Sequence, residues 1–254
     1  MPIIKTPNDL WTYQELIFRC DIDTIIETGT AWGGSAWYFA LLFDSLQRGH
    51  VVTVDFPYWK GFAKETHAAL FSGVVGAGGT GEQDDTEEKN DTEEDPRRMV
   101  KDMVIPAGWR PDHPRITYVS GDSTDAKTGH EVRSYTSGNV MLSLDANHTA
   151  EHVLKELNMY AELVTPGSYI VVEDSNVNGH PVFPEHGPGP LEAIAEWLPN
   201  NEEFEIDTQP VDAYMFSYNT WIRRKDGRSL SHVRIEMGDG KINVNAAGED
   251  SNDC

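Results

Sequence analysis

The chain has 254 residues, of which 39% are hydrophobic, and a formal net charge of −22. That length and composition suit one α/β domain with a sizeable core, and the acidity excludes a nucleic-acid partner, whose phosphates would be repelled. No apolar run approaches the roughly 20 residues that span a bilayer, so no membrane partner is expected. Met1–Pro7 has no basic region followed by an apolar core. Cys20 and Cys254 are the only cysteines; a disulfide framework is not expected, and a reducing, cytoplasmic setting is.

In chain order, Asn8-Asp9 offers a helix cap, followed by a stripe of Leu10, Trp11, Tyr13, Leu16, Ile17 and Phe18. Asp23–Glu27 reads as the first strand, Gly29–Ser35 as a loop, Ala36–Leu46 as an apolar helix and Val51–Asp55 as the second strand. This strand–loop–helix–strand order is a βαβ unit with parallel strands. A helix near Phe62–Phe71 is expected next, then a flexible insertion at about 72–97, then a surface segment to Pro114. Within the insertion, Glu82–Asp95 carries nine acids and one lysine, a composition that stays solvated. Strands follow at Ile116–Val119, Asn139–Leu144 and Ser168–Val172, with a helix over Thr149–Leu163. A proline-rich loop, Ser175–Pro190, precedes a helix at Leu191–Leu198, and late strands are expected at Phe204–Ile206 and Ala213–Ile222. One domain over 1–245 and a frayed tail at 246–254 complete the organisation.

Several strands end in acids, and an open parallel sheet binds ligands outside the carboxyl ends of its strands. Gly29, Gly33 and Gly34 let backbone approach a ligand, and the N-terminus of the following helix favours carboxylate or phosphate. The spacing is not G-x-G-x-x-G. Glu27 and Asp55 instead suit a ligand with an amino group and a ribose diol; the alternative is a plain tight turn. Asp122-Ser123 suits either a polar contact to an adenine ring or a helix cap. Asp145, Glu173 and Asp174 close two strands that would lie about 4.8 Å apart if adjacent. Carboxylates so close need a cation between them or a shared proton, and oxygen-only ligation suits Mg²⁺, Ca²⁺ or Mn²⁺; the alternative is a cap and a salt bridge. His148 could take a proton beside such an ion or simply face solvent. Asp145, His148 and His152 also allow an iron-binding triad, which would leave Glu173 and Asp174 surplus. The Gly179–Pro190 stretch reads as a pocket wall or a rigid connector.

Four segments together resemble the cephalosporin hydroxylase family: Pro7–Glu15, Glu27–Ser35, Leu144–His148 and Val172–Pro181. The resemblance spans about Pro7–Arg223. It implies a Rossmann-like methyltransferase fold, a mostly parallel seven-stranded sheet flanked by helices with the last strand antiparallel. It also implies an S-adenosylmethionine- and Mg²⁺-dependent O-methyltransferase acting on a hydroxyl of a small secondary metabolite. The implied cofactor contacts are Glu27, Gly29, Thr30, Ala31, Ser35, Asp55, Asp122, Ser123 and Asp145. The implied ligands of Mg²⁺, or another hard divalent cation, are Asp145, Glu173 and Asp174. The layout is similar to that of catechol-type O-methyltransferases, whose base follows the first metal aspartate by three residues, which makes His148 and Asp145 the expected catalytic pair. The acidic insertion and a histidine base depart from the pattern. A hydroxylase, as the family name suggests, or a cyclisation in the same pocket are the rival chemistries. A homo-oligomer is expected.

Overall fold

The computed structural model describes residues 3, 5–56, 110–208 and 219–226, and the backbone of two further strands at 234–238 and 241–245. The expected helix at Phe62–Phe71, the acidic insertion and the C-terminal tail lie outside the described residues.

Helix α1 (Pro7–Arg19) is capped two residues earlier than the expected Asn8-Asp9. Thr6 is the cap: its hydroxyl accepts from the Asp9 N–H at 3.2 Å and donates to the Asp9 carboxylate at 2.7 Å. Pro7 occupies the first turn, where its missing N–H costs nothing. The helix buries Asp9, Thr12, Tyr13, Leu16 and Ile17. Trp11 and Phe18, which the spacing assigns to the apolar stripe, face outward.

The remaining elements are β1 (Thr24–Thr28), α2 (Gly34–Leu46), β2 (His50–Asp55), β3 (Ile116–Ser120), α3 (Ala126–Tyr135), β4 (Val140–Leu144), α4 (Ala150–Tyr160), β5 (Tyr169–Val172), α5 (Pro190–Trp197), β6 (Phe204–Ile206) and β7 (Thr220–Arg224). They form a seven-stranded sheet in the order β3-β2-β1-β4-β5-β7-β6. β1 to β5 are parallel, and β7 runs antiparallel to both its neighbours. This is the expected mixed sheet. Successive strand residues feed opposite layers. Ile25, Val51, Met141 and Val171 pack with α1 and α2 through Tyr13, Ile17, Phe39 and Phe43. Ile26, Val52, Leu142 and Ile170 pack with α4 and α5 through Val153, Leu157, Ile194 and Trp197.

Two features were not anticipated. Helix α3 is polar and buries only Thr128, Gly129 and Val132, so it has almost no apolar period; the Asp125 carboxylate caps it, accepting from Lys127 N at 2.9 Å and Thr128 N at 3.2 Å. A separate hairpin pairs β8 (Arg234–Gly238) with β9 (Lys241–Asn245). Cys20 is buried, and Cys254 lies outside the described residues.

Candidate active site

Chain order reverses between β1 and β4, which are hydrogen-bonded neighbours, and a crevice opens at the carboxyl ends of such strands. The ladders continue one residue beyond the strands. Gly29 N donates to Val54 O at 2.8 Å, Asp145 N to Thr28 O at 3.1 Å and Glu173 N to Leu144 O at 3.0 Å. The loop after β1, Asp145 and Glu173 are thereby held in register at one edge.

The loop is anchored from below. Glu27 is fully buried; it accepts from the Ser35 hydroxyl and, at 2.7 Å, from the Thr53 hydroxyl. Burial pushes its carboxyl up to about 7, against the opposing pull of the Lys5 charge and the two hydroxyls. Thr30 and Thr53 hydroxyls share a 2.7 Å bond. The Asp55 carboxylate accepts from Ala31 N at 2.9 Å and Phe56 N at 2.7 Å, so the end of β2 holds the loop in its turn. Gly29 has φ +85; a Cβ there would overlap the Asp145 carbonyl oxygen and stand 2.5 Å from the carbonyl carbon and 2.9 Å from Ala146 Cα. The loop thus lies directly on the chain segment that carries Asp145.

Beyond β3, Asp122 accepts from the Thr124 N–H at 2.8 Å and its hydroxyl at 2.7 Å. These bonds outweigh burial and hold the Asp122 carboxyl below the usual range. Ser123 lies 3.0 Å from His152 Nε2, and its carbonyl accepts from the Tyr160 hydroxyl at 2.6 Å. It is not the cap of α3, a place Asp125 takes. His152 faces Ser123 and Glu156, away from Asp145, so the iron triad is not assembled.

Asp145, His148 and Asp174 do meet: one ligand atom from each lies within 4.8 Å of the others. His148 Nε2 is 3.3 Å from an Asp174 oxygen, and the Asp174 N–H is fixed at 3.1 Å by the Asn219 side chain. The two carboxylates at this spacing fit a hard divalent cation, with the imidazole beside them. Glu173 stands behind them. It is buried, and its Oε1 accepts from the Tyr13 hydroxyl at 2.6 Å and from the Lys5 ammonium at 2.6 Å. Lys5 also reaches Asp145 Oδ2 at 2.9 Å. Burial raises the Glu173 carboxyl pKa although Lys5 opposes it. Burial likewise disfavours the Lys5 charge, but Asp145 and Glu173 outweigh it and keep the ammonium charged well above its ordinary range.

The loop after β5 is braced by Glu192, which accepts from Asn178 at 2.9 Å, His180 at 2.8 Å and Gly189 N at 2.8 Å. Burial would raise its carboxyl, but these bonds bring it down to about 2. The loop then joins the start of α4 beside His148, where Ala150 N donates to Pro188 O at 3.0 Å. Sequence reasoning missed Lys5 and the buried support of Tyr13 and Thr53. The available signal was the Thr6-Pro7-x-Asp9 cap, which fixes the residue just before it.

The family model for rhamnosyl O-methyltransferase/CmcI matches residues 1–69 and 101–225. A rhamnosyl O-methyltransferase of Mycobacterium bovis (strain BCG / Pasteur 1173P2) is 32% identical over 212 residues, covering 81% of this chain and 68% of that protein. Among solved structures, the apo form of CmcI-N160 superposes with a TM-score of 0.55 at 18% identity, covering 89% of this chain and 75% of that one. Apo CalS11, a TDP-rhamnose 3'-O-methyltransferase, superposes with a TM-score of 0.51 at 15% identity, covering 86% and 79%. Among the described residues no helix is long and apolar enough to cross a membrane.

Proposed function

Because the chain belongs to the rhamnosyl O-methyltransferase/CmcI family, we propose that it transfers the methyl group of S-adenosylmethionine to a hydroxyl oxygen of a small molecule, with Mg²⁺ or a similarly hard ion at the acceptor end. The observation that carries this reading is the seat of Gly29 on the Asp145 carbonyl. It joins a loop suited to the methyl donor with a cluster suited to the acceptor. A sugar hydroxyl is the first acceptor to test, since the curated relative is named for a rhamnosyl group. A single domain over 1–245, with about 72–97 as an insertion, belongs to the same reading; the gap in the family match over 70–100 supports it.

When bound, S-adenosylmethionine supplies an electrophilic sulfonium methyl and the cation lowers the pKa of the acceptor hydroxyl. The chain's own residues do the rest. The N–H groups at the start of α2 favour the carboxylate end of the donor, over a loop that Glu27, Thr30 and Ser35 keep in place. Asp55 would accept from the ribose hydroxyls, and Asp122 and Ser123 would border the adenine. Asp145 and Asp174 would hold the ion. His148 is placed to accept the acceptor's hydroxyl proton, with the Asp174 carboxylate beside it to stabilise the imidazolium. Holding oxygen and methyl in line supplies much of the rate.

The test is incubation with donor carrying a ¹³C methyl group and a panel of rhamnosyl and other hydroxylic acceptors, read by product mass, before and after chelation and Mg²⁺ return. The expected product gains one labelled methyl in place of a hydrogen, only with the ion present. A gain of one oxygen, or a product of unchanged mass, overturns the reading in favour of hydroxylation or cyclisation.

A further inference from the structure

Helix α4 carries a buried acid that the chemistry proposed above leaves unused. Glu156 is fully buried, and neither of its carboxyl oxygens meets a hydrogen-bond donor among the described residues. An acid taken out of water without a donor costs stability. Its helix neighbours Val153 and Leu157 pack in the apolar core, so packing alone does not account for an acid there. Beside it stands His152, one turn earlier on α4, whose Nε2 lies 3.4 Å from Glu156 Oε1. The same nitrogen lies 3.0 Å from Ser123 Oγ. Tyr160, one turn beyond Glu156, donates its hydroxyl to the Ser123 carbonyl at 2.6 Å. Residues four apart on a helix share a face, and this face of α4 grips one residue of the loop after β3 by both its side chain and its backbone.

One ring nitrogen approaches both the Glu156 and the Ser123 oxygens. The trio is therefore not a nucleophile relay, in which the acid holds the nitrogen remote from the hydroxyl. What it sets is the direction of a hydrogen bond. A neutral imidazole carries hydrogen on one nitrogen, and its surroundings choose which. A carboxylate next to Nε2 repels a lone pair there and attracts a hydrogen. Nε2–H then donates to Ser123 Oγ, which makes no other hydrogen bond among the described residues. That leaves the hydrogen of the Ser123 hydroxyl for a ligand.

We propose that Glu156 acts through His152 to fix Ser123 as a hydrogen-bond donor toward the purine of the methyl donor, so that the site selects a base with an unprotonated ring nitrogen. Glu156 and His152 are positioning residues, and the inference rests on the reading of Asp122 and Ser123 as the border of the adenine. It deepens that reading by giving the border a direction: Ser123 gives a hydrogen bond, and a buried residue two contacts away decides that it does.

The experiment uses the full chain and calorimetry with S-adenosylhomocysteine and its 1-deaza, 3-deaza and 7-deaza analogues, each with C–H in place of one ring nitrogen. In the unaltered chain one analogue binds about three- to tenfold more weakly than the parent, the worth of one hydrogen bond. In Ser123→Ala that gap falls to about twofold or less. It narrows as far in Glu156→Gln and in Glu156→Leu, because nothing then holds hydrogen on Nε2 and the Ser123 hydroxyl turns to donate inward. A role confined to packing would weaken parent and analogues alike and leave the gap intact. A second measurement needs no altered acid. The ¹⁵N spectrum of the unaltered chain, with the His152 signals identified by their loss in His152→Gln, should show hydrogen on Nε2. A lone pair on that nitrogen, equal binding of all three analogues and the parent, or a gap that persists in Ser123→Ala or in the Glu156 variants overturns the proposal. If the unaltered chain binds no S-adenosylhomocysteine at all, the adenine reading falls and the proposal with it; binding without the gap removes the proposal alone.

Discussion

Replacing Gly29 by alanine tests the junction between donor loop and acceptor cluster, and Gly187 provides its control. Both glycines have φ +85, but a Cβ at Gly187 meets nothing within 4 Å, whereas at Gly29 it runs into the backbone of Asp145 and Ala146. Left-handed backbone costs a side-chain-bearing residue about 1–2 kcal/mol, which is all that Gly187→Ala should lose. Gly29→Ala adds an overlap that no side-chain rotation relieves, worth about 1–3 kcal/mol or more, for a total of about 2–5 kcal/mol. Urea denaturation at unchanged m-value gives the stability difference, and calorimetry with S-adenosylmethionine gives the functional one. Donor binding should fall in Gly29→Ala and hold in Gly187→Ala. Equal losses in the two variants, with donor affinity unchanged in both, would refute the claim that this contact shapes the crevice.

On the proposed mechanism His148→Ala should lower turnover by about 10²- to 10⁴-fold with little change in donor affinity; retained turnover would return His148 to a solvent-facing role. Glu27 makes stability depend on pH. Its folded pKa, about 7, lies above the ordinary 4.5, so the native state holds a proton that the unfolded chain releases. The stability this contributes is fully present below about pH 4.5 and is lost as pH rises to about 7, on the order of 3 kcal/mol. Glu27→Gln should therefore flatten the stability–pH curve across that window, and an unaltered slope would count against the assignment. Deleting Glu82–Asp95, whose composition offers almost nothing to bury, should leave the melting temperature nearly unchanged; a large drop would show that the segment supports the domain.

Elements with strong apolar runs were legible in the sequence. The strands ending at Thr28, Asp55, Leu144 and Val172 are nearly all buried, and buried parallel strands read as continuous apolar runs. Helix α3 was not legible because a cap and a few small residues, rather than an apolar face, hold it. The acids were legible as strand-end residues, and Asp145, His148 and Asp174 do converge. The direction in which each acid points was not. Glu173 and Asp174 are adjacent in sequence, yet one turns inward to Tyr13 and the other outward to His148. The inward partner Lys5 lies 168 residues from Glu173 along the chain, a separation that no local pattern reports.

The place of β7 in the sheet has a consequence for synthesis. It inserts between β5 and β6, so until Thr220–Arg224 has left the ribosome β5 is an edge and the core around Tyr13 and Val171 lacks Trp221. Asn219, at the head of that strand, is also the residue that fixes the Asp174 N–H. A nascent chain that stops short of it has its glycine loop, Asp55 and Asp145 but lacks the anchor for Asp174. The acceptor end is therefore completed last, and truncated chains should be detectable as species that bind donor before they can use it.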